Sequence, residues 1–456
     1  MSKKQLTTEE KKNNALVPEE EWPYKLPDNW CWVRGSMILR RMESQKPAGE
    51  YFQYIDIESV DNSRQEVIAP KLLPVSKAPS RASRKLHIGD TLFSLVRPYL
   101  MNIAYIDDSL AKCIASTGFY VCSPNKNMEP RYLYWLMVSP YTVDGLNNYM
   151  KGDNSPSIRG SDIENYAFPL PPLPEQQRIV SRIESLFVKL DEAKEKVQNV
   201  IDGADTRKAA ILHQAFTGKL TAKWRKENSV TDDSWEKKTL QEVCCTKITD
   251  GTHKTPKYST KEDGGIPFIS AKDVTKGMIC WDNIKYIVPE LHEELYKRLA
   301  PQRDDVLLAK NGTTGVAAIV ETDMIFDLYV TLAVLRPNKE KVYPRFLLNI
   351  VNSPICKRQF DEHLTGIGVP NLHLRDIKEI EIGLPKLPEQ QEIVRLLDQF
   401  LDKEKSICES CEASLATIKT IKKSILAKAF RGELGTNNPA EESAKELLKK
   451  CFTTVV

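Results

Sequence analysis

Basic side chains gather in two short stretches of this sequence. Between Lys71 and Arg97 six basic residues (Lys71, Lys77, Arg81, Arg84, Lys85, Arg97) stand against one acid, Asp90. Between Lys247 and Lys261 four lysines (Lys247, Lys254, Lys257, Lys261) stand against Asp250. Both stretches mix charge with small polar residues and turns, "SKAPSRASRK" in the first and "TDGTHKTPKYST" in the second. Loops of this composition can lay several donors along a phosphate backbone while short polar side chains reach base edges. The candidate contacts are Lys77, Arg81 and Arg84, and then Lys247, Thr249, Thr252, His253, Lys254 and Lys257. A solvated surface loop explains any one lysine; the same kind of cluster twice in one chain points to a polyanion.

Five further pieces invite the same chemistry. "LVRPYLMN" (95–102) and "LAKNGTTG" (308–315) each end a strand in a polar turn. Arg97 could bind a guanine edge or a phosphate and Asn311 could read adenine, with Tyr99, Asn102, Lys310 and Thr313 beside them. "KGDNSPSIRG" (151–160) and "TGIGVPNLHL" (365–374) are irregular and glycine-bearing. Gly152 and Gly366 would suit close backbone approach, and Lys151, Asn154, Arg159, Asn371 and His373 are their candidate contacts. Lys272 closes "IPFISAK" (266–272). A structural turn or a domain-edge loop is the plain reading of each.

Catalytic patterns are missing. "TGKL" at 217–220 lacks the leading glycine and the Ser/Thr of a P-loop. "NNPA" at 437–440 comes nearest to the Asp/Asn-Pro-Pro-Tyr/Phe motif of amino-group methyltransferases, but it lies in a polar tail with no strand before it. No Ser-His-Asp or Cys-His arrangement stands out among six histidines. "CESC" (408–411) has metal or redox spacing, but it is one pair on a helical seam and reads as packing. The chain gives no positive sign of a catalyst or of a cofactor of its own.

The elements that carry these loops are written twice. "PLPPLPEQQRIV" (169–180) returns as "GLPKLPEQQEIV" (383–394), 214 positions later. At the same offset "EPRYLYWLMVSP" (129–140) lies over "YPRFLLNIVNSP" (343–354), and "ILHQAFTGKL" (211–220) over "ILAKAFRGEL" (425–434). Further upstream the match fades. Each copy therefore has a variable first part and a nearly repeated last part. The variable parts, 24–168 and 229–382, are rich in short β-type runs divided by turn residues, with a helix near "RYLYWLMVS" and "RFLLNIVNS".

The repeated parts, 169–220 and 383–434, read as long helices. Apolar or small residues at Ile183, Phe187, Leu190, Val197, Ile201, Ala204, Ile211 and Ala215 keep heptad steps, with polar gaps at Lys194 and Lys208. Leu397, Leu401, Cys408, Cys411, Leu415, Ile418, Ile425 and Ala429 repeat the register, with gaps at Glu404 and Lys422. Pro174 and Pro388 sit in the first turns, Gly218 and Gly432 at the stops. Gly203 could kink the first helix, yet its counterpart is Thr417, so the pattern predicts one rod from 174 to 217, about 66 Å at ~1.5 Å per residue. The economical partner for each apolar seam is the other copy, packed antiparallel. The expected fold class is α+β: two mixed α/β domains separated by two long helices that pair as an antiparallel coiled coil, a pseudo-two-fold internal repeat. The remaining 435–456 is a polar tail compatible with helix.

Composition sets the outer bounds. Of 456 residues 41% are hydrophobic and 28% charged, an ordinary globular balance, and 456 residues allow two to four domains. The net charge of only +3 means that any polyanion site must come from local sorting of charge. The first residues lack the apolar core of a signal peptide, no uncharged run is long enough for a bilayer, and ten scattered cysteines read as reduced thiols. The expectation is a cytoplasmic protein.

Taken together, the doubled "LPxLPEQQxIV" entries, "TRKAAILHQAFTGKL" (206–220) echoed by "TIKKSILAKAFRGEL" (420–434), "DGTHKTP" (250–256) and the tail "NPAEESAKELLKK" (438–450) resemble the specificity subunits of type I restriction-modification systems. The likeness covers essentially the whole chain, and the combination is specific although no single motif is. It implies two target recognition domains (24–168 and 229–382), each reading one half of a split, asymmetric double-stranded DNA site in a bacterial or archaeal cell. It also implies that the helices set the spacer and dock two modification subunits, which use S-adenosylmethionine to methylate adenine at N6 after flipping it out. Restriction subunits that use ATP and magnesium to translocate and cut would complete the complex, with no catalysis on this chain. Two alternatives stay open: the specificity subunit of another bipartite modification system or an orphan, and a coiled-coil adaptor that binds proteins instead of DNA.

Overall fold

Four-residue strands buried from end to end, Thr91–Ser94 and Val306–Ala309, anchor the fold as interior strands of a sheet in each unit. The computed structural model describes residues 16–231, 233–274, 277–364, 370–446 and 448. The chain divides into two units, one running up to Val197 and resuming at Ala413, the other being Gln198–Glu412.

In the first unit Thr91–Ser94 lies between Phe119–Cys122 and Ile103–Tyr105, both antiparallel to it. A second sheet orders Lys71–Pro74, Tyr51–Ile55, Ile114–Ser116 and Ala82–Lys85, with Tyr51–Ile55 parallel to Ile114–Ser116. Cys31–Arg34 pairs with Ala167–Leu170, the strand that leads into the first long helix. The second unit repeats this plan. Val306–Ala309 lies between Leu332–Leu335 and Ala317–Ile319, Ile266–Ile269 runs parallel to Asp327–Leu328, and Glu236–Thr239 pairs with Glu381–Leu384. Helices Pro130–Val138 and Pro344–Val351 stand where the repeated strings predict them. The differences fall in the variable parts: the edge strand Ala82–Lys85 belongs to the first unit, the edge strand Tyr258–Ser259 and the helix Pro289–Arg298 to the second.

The second long helix is unbroken from Leu387 to Phe430. The first is not one rod: Leu173–Asp202 and Ala204–Phe216 meet at Gly203, whose ψ of −5° flattens one residue. The hydrogen bonds carry on across it, from the Gly203 amide to the Asn199 carbonyl (3.1 Å) and from the Arg207 amide to the Gly203 carbonyl (3.0 Å). Arg207 explains the break, since its Nη2 folds back onto the Val200 carbonyl at 2.8 Å. A Cβ at position 203 would lie 2.8 Å from Arg207 Nη1, so glycine leaves the guanidinium its room.

The polar gaps need the same adjustment. On the second helix Glu404 and Lys422 are half-buried, as the heptad register predicts, but on the first helix Lys194 and Lys208 are exposed and their neighbours Ala193 and Arg207 are the half-buried ones. A helix turns once in 3.6 residues, not 3.5, so a strict heptad slips round its face by about 20° per repeat. Within the second unit Arg207 clasps Glu404 (Nε to Oε2 2.9 Å, to Oε1 3.1 Å). Within the first, Lys422 reaches Asp191 (2.5 Å) and lies over the Phe187 ring.

The doubled "EQQ" locks helix to sheet domain. Gln176 donates from Nε2 to the Asn127 and Pro171 carbonyls (both 3.0 Å) and accepts from the Glu129 amide (2.7 Å). Gln390 repeats the pattern on Lys341 (2.9 Å), Pro385 (2.7 Å) and Tyr343 (2.7 Å). The preceding glutamates are also buried: Glu389 accepts from Thr221, Arg225 and Trp235, and Glu175 from Thr436 and Arg178. At the far ends of the helices Phe216 packs on Phe346 and Phe430 on Tyr132, with ring centroids 5.5 and 5.3 Å apart. Each pair lies within one unit. Gly218 and Gly432 end the helices at φ +75°, where a side chain would be strained.

The C-terminal segment is partly helical, with residues 444–446 in helix. Ala444 and Leu448 join the first unit's core, and Arg178 forks onto Glu441 (2.8 and 2.9 Å). Residues 447 and 449–456 lie outside the described set. Among the described residues no helix is long and apolar enough to cross a membrane.

Candidate nucleic-acid interface

In both units the loop after the fully buried strand is stitched to the loop before the linker helix. In the first unit the Arg97 amide donates to the Pro156 carbonyl (2.8 Å), the Ile158 amide to the Leu95 carbonyl (2.9 Å), and Lys151 and Ser157 exchange backbone bonds (2.9 and 3.0 Å). In the second the Leu372 amide donates to the Lys310 carbonyl (2.8 Å), the Gly312 amide to the Pro370 carbonyl (3.2 Å), and Asn311 bridges Asn371. The two units thus form the same paired platform from loops at corresponding places in the fold, with different side chains on each.

On the first platform Arg97, Tyr99, Lys151, Asn154 and Arg159 are exposed. Arg97 holds a left-handed φ of +46° and is steadied by a bond from Nη2 to the Asn154 carbonyl (2.8 Å). That conformation is strained for a residue with a side chain. Asn102 departs from the expectation. It is 6% exposed, drawn inside as the chain re-enters strand Ile103–Tyr105, and its carbonyl accepts from the Ser94 amide. On the second platform Thr313 and His373 are exposed and Asn311 and Asn371 are half-buried; residues 365–369, with Gly366, lie outside the described set.

The basic clusters are thinner than the residue count implies. Lys77 and Arg81 are exposed and Arg84 is half-buried in the edge strand. Lys71 is bound by Asp56 (2.5 Å) and Glu58 (2.9 Å), which hold its ammonium above the usual lysine range, and Lys85 by Glu43 (2.6 Å). In the second unit Lys247 and Lys257 are exposed, and Lys254 pairs with the exposed Glu294 at 2.9 Å. Exposed Lys272 has Asp273 at 3.8 Å, and half-buried Thr249 lies in a strand paired with Val334. Thr252 and Lys310, expected at the surface, are 6% and 7% exposed. Thr252 is held between Leu328 and Val330 by backbone bonds, and Lys310 turns inward to Asp250 at 3.2 Å. A sequence count cannot see acids arriving from elsewhere in the chain. Gln176 and Gln390, which fix each sheet domain to its long helix, were missed as well; their signal was identity in both copies beside the helix-starting proline.

Cys408 and Cys411 are half-buried free thiols on the second long helix. Among the described residues no group of three or more His, Cys, Asp or Glu side chains is placed to hold a metal ion. The geometry offers two donor-bearing platforms.

Residues 41–202 and 232–410 match the family described as the type I restriction modification DNA specificity domain. The chain is 28% identical over 451 residues to the type I restriction enzyme EcoKI specificity subunit of Escherichia coli strain K12, covering 93% of this chain and 95% of that one. It is 27% identical over 311 residues to the EcoBI specificity subunit of Escherichia coli, covering 63% of this chain and 64% of that one. Among solved structures, the HsdS subunit from Thermoanaerobacter tengcongensis aligns with a TM-score of 0.62 at 27% identity, over 91% of this chain and all of that one. A chain solved in work on complex assembly and conformational transition of the type I R-M system aligns at 0.69 and 28%, over 90% of this chain and all of that one.

Proposed function

Because the chain belongs to the type I restriction modification DNA specificity family, we propose that it is the DNA-reading subunit of a type I restriction-modification complex. Domains 24–168 and 229–382 each read one half of a bipartite site. The observation that carries this is the platform made twice from the same strands and loops, bearing Arg97, Tyr99 and Asn154 in one copy and Asn311, Thr313 and His373 in the other. Shared backbone with unlike side chains predicts two half-sites of unlike sequence. Lys77, Arg81, Lys247 and Lys257 supply phosphate contacts that position each domain, and the platform residues supply base contacts.

The long helices pair as an antiparallel coiled coil with pseudo-two-fold symmetry and hold the spacer between half-sites constant. The heptad seams, the Arg207–Glu404 clasp and the Lys422–Asp191 pair support this reading. The helices also seat two modification subunits, which supply S-adenosylmethionine and methylate adenine. Restriction subunits supply ATP- and magnesium-dependent translocation and cleavage, and this chain contributes recognition alone.

A gel-shift titration of the chain assembled with its modification subunits, repeated across salt concentrations, tests the reading. Phosphate contacts release counterions, so log affinity must fall linearly with log salt. Binding that ignores salt, or no binding at all, favours a protein-binding adaptor.

A further inference from the structure

Under the surface of the second unit lies an ion pair that phosphate and base contacts leave unexplained. Asp250 ends strand Thr249–Asp250 and is 4% exposed; Lys310 follows strand Val306–Ala309 and is 7% exposed. Strand Leu332–Leu335 runs between those two. The Lys310 side chain therefore crosses the end of the intervening strand to bring Nζ within 3.2 Å of Asp250 Oδ2. The other carboxylate oxygen, Oδ1, stands 3.2 Å from Nε2 of His253, whose side chain is 69% exposed. A buried lysine thus fixes a carboxylate, and the carboxylate faces an exposed imidazole.

The backbone around this line is pinned. Arg298 Nη2 donates to the carbonyls of Asp250 (2.8 Å) and Gly251 (2.6 Å). The Thr252 amide donates to the Leu328 carbonyl (2.9 Å), and a Cβ on Gly251 would lie 2.1 Å from that same oxygen, so only glycine passes there. On the other side the Lys310 amide donates to the Thr331 carbonyl (2.9 Å), and the Lys310 carbonyl takes the Leu372 amide of the second platform. Desolvating a buried ion pair costs about as much as its attraction returns, so a pair of apolar side chains would serve stability equally well. What the pair gives is a fixed direction for the group it touches, and that group is His253.

We propose that Lys310 and Asp250 are positioning residues that aim His253, and that His253 is a specificity-determining contact of the second half-site while Lys310 touches no DNA. In the neutral tautomer that directs Nε2–H at the carboxylate, Nδ1 is left as an acceptor, matched to the exocyclic amino group of adenine or cytosine in the major groove. The proposal rests on the reading of this unit as a DNA-recognition domain.

The test uses the full chain assembled with its modification subunits and duplexes carrying the site found by methylome sequencing, together with every single-base change in each half. Lys310→Met, Asp250→Asn and His253→Ala should each lose about tenfold of discrimination at one and the same adenine or cytosine of the second half-site. The double variant His253→Ala/Lys310→Met should lose no more than either alone, and Lys310→Arg should keep the discrimination. Recognition of the first half-site, read on the same complexes, should not change, and the salt slope of Lys310→Met should equal that of the unaltered complex. A slope smaller by about one would place Lys310 on a phosphate and overturn the proposal. So would losses at different positions, or a loss spread evenly over the second half-site, which would make the pair merely structural. Failure of the unaltered complex to bind in a salt-dependent way would instead overturn the DNA-reading function itself.

Discussion

Replacing Gln390 by leucine should loosen one unit and leave the other intact. Gln390 is fully buried, and its side chain makes three hydrogen bonds to backbone groups of Lys341, Tyr343 and Pro385. Leucine is close in volume, so no large cavity opens; the loss is the three bonds. At a net value of about 1 kcal/mol each, the change removes about 3 kcal/mol from the free energy that keeps the domain closed on its helix. Amides of helix Pro344–Val351 that exchange through this opening should then exchange about a hundredfold faster. Gln176→Leu should do the same to helix Pro130–Val138, because its three bonds to Asn127, Glu129 and Pro171 are the counterparts. Hydrogen-exchange mass spectrometry on the full chain reads both helices at once. Acceleration of less than about threefold, or equal acceleration in both units from either substitution, would refute the clamp.

Three further outcomes follow from the platforms and clusters. Exchanging 229–382 for the corresponding domain of a relative should change one half of the methylated site; methylome sequencing that finds both halves altered counts against modular reading. Lys254→Ala should weaken binding to every sequence modestly, because Glu294 already holds the ammonium, and Glu294→Gln should tighten binding; a gel shift in which Glu294→Gln binds more weakly rules out a phosphate role for Lys254. Arg97→Ala should relax preference at one base of the first half-site by about 1–3 kcal/mol, and a uniform loss across all sequences would show Arg97 to be a backbone contact.

The repeat made much of this legible. Local rules sufficed where the chain's own neighbours decide the outcome: proline in the first turn, glycine at the stop, apolar residues every three or four positions, short apolar runs between turns. They failed where distant residues decide. Lys71 and Lys85 read as free charge because Asp56, Glu58 and Glu43 arrive through the fold. Lys310, Thr252 and Asn102 read as surface because polarity alone does not reveal a buried partner or a strand re-entering the core. Arg207 displaced Lys208 from the seam because a helix drifts against a heptad and glycine at 203 let the guanidinium fold back. The repeated "EQQ" was visible as a string, but its meaning lay in carbonyls about fifty residues upstream.

If paired helices hold two unlike DNA readers at a set distance, lengthening both helices must lengthen the spacer between the half-sites. One heptad inserted after Glu195 and one after Glu409 adds about 10 Å of helix, equivalent to about three base pairs of duplex. Methylome sequencing of a host carrying the altered subunit should find both half-sites unchanged and the spacer longer by about three base pairs. Methylation that persists at the original spacer would show that the helices do not set the distance between the two readers.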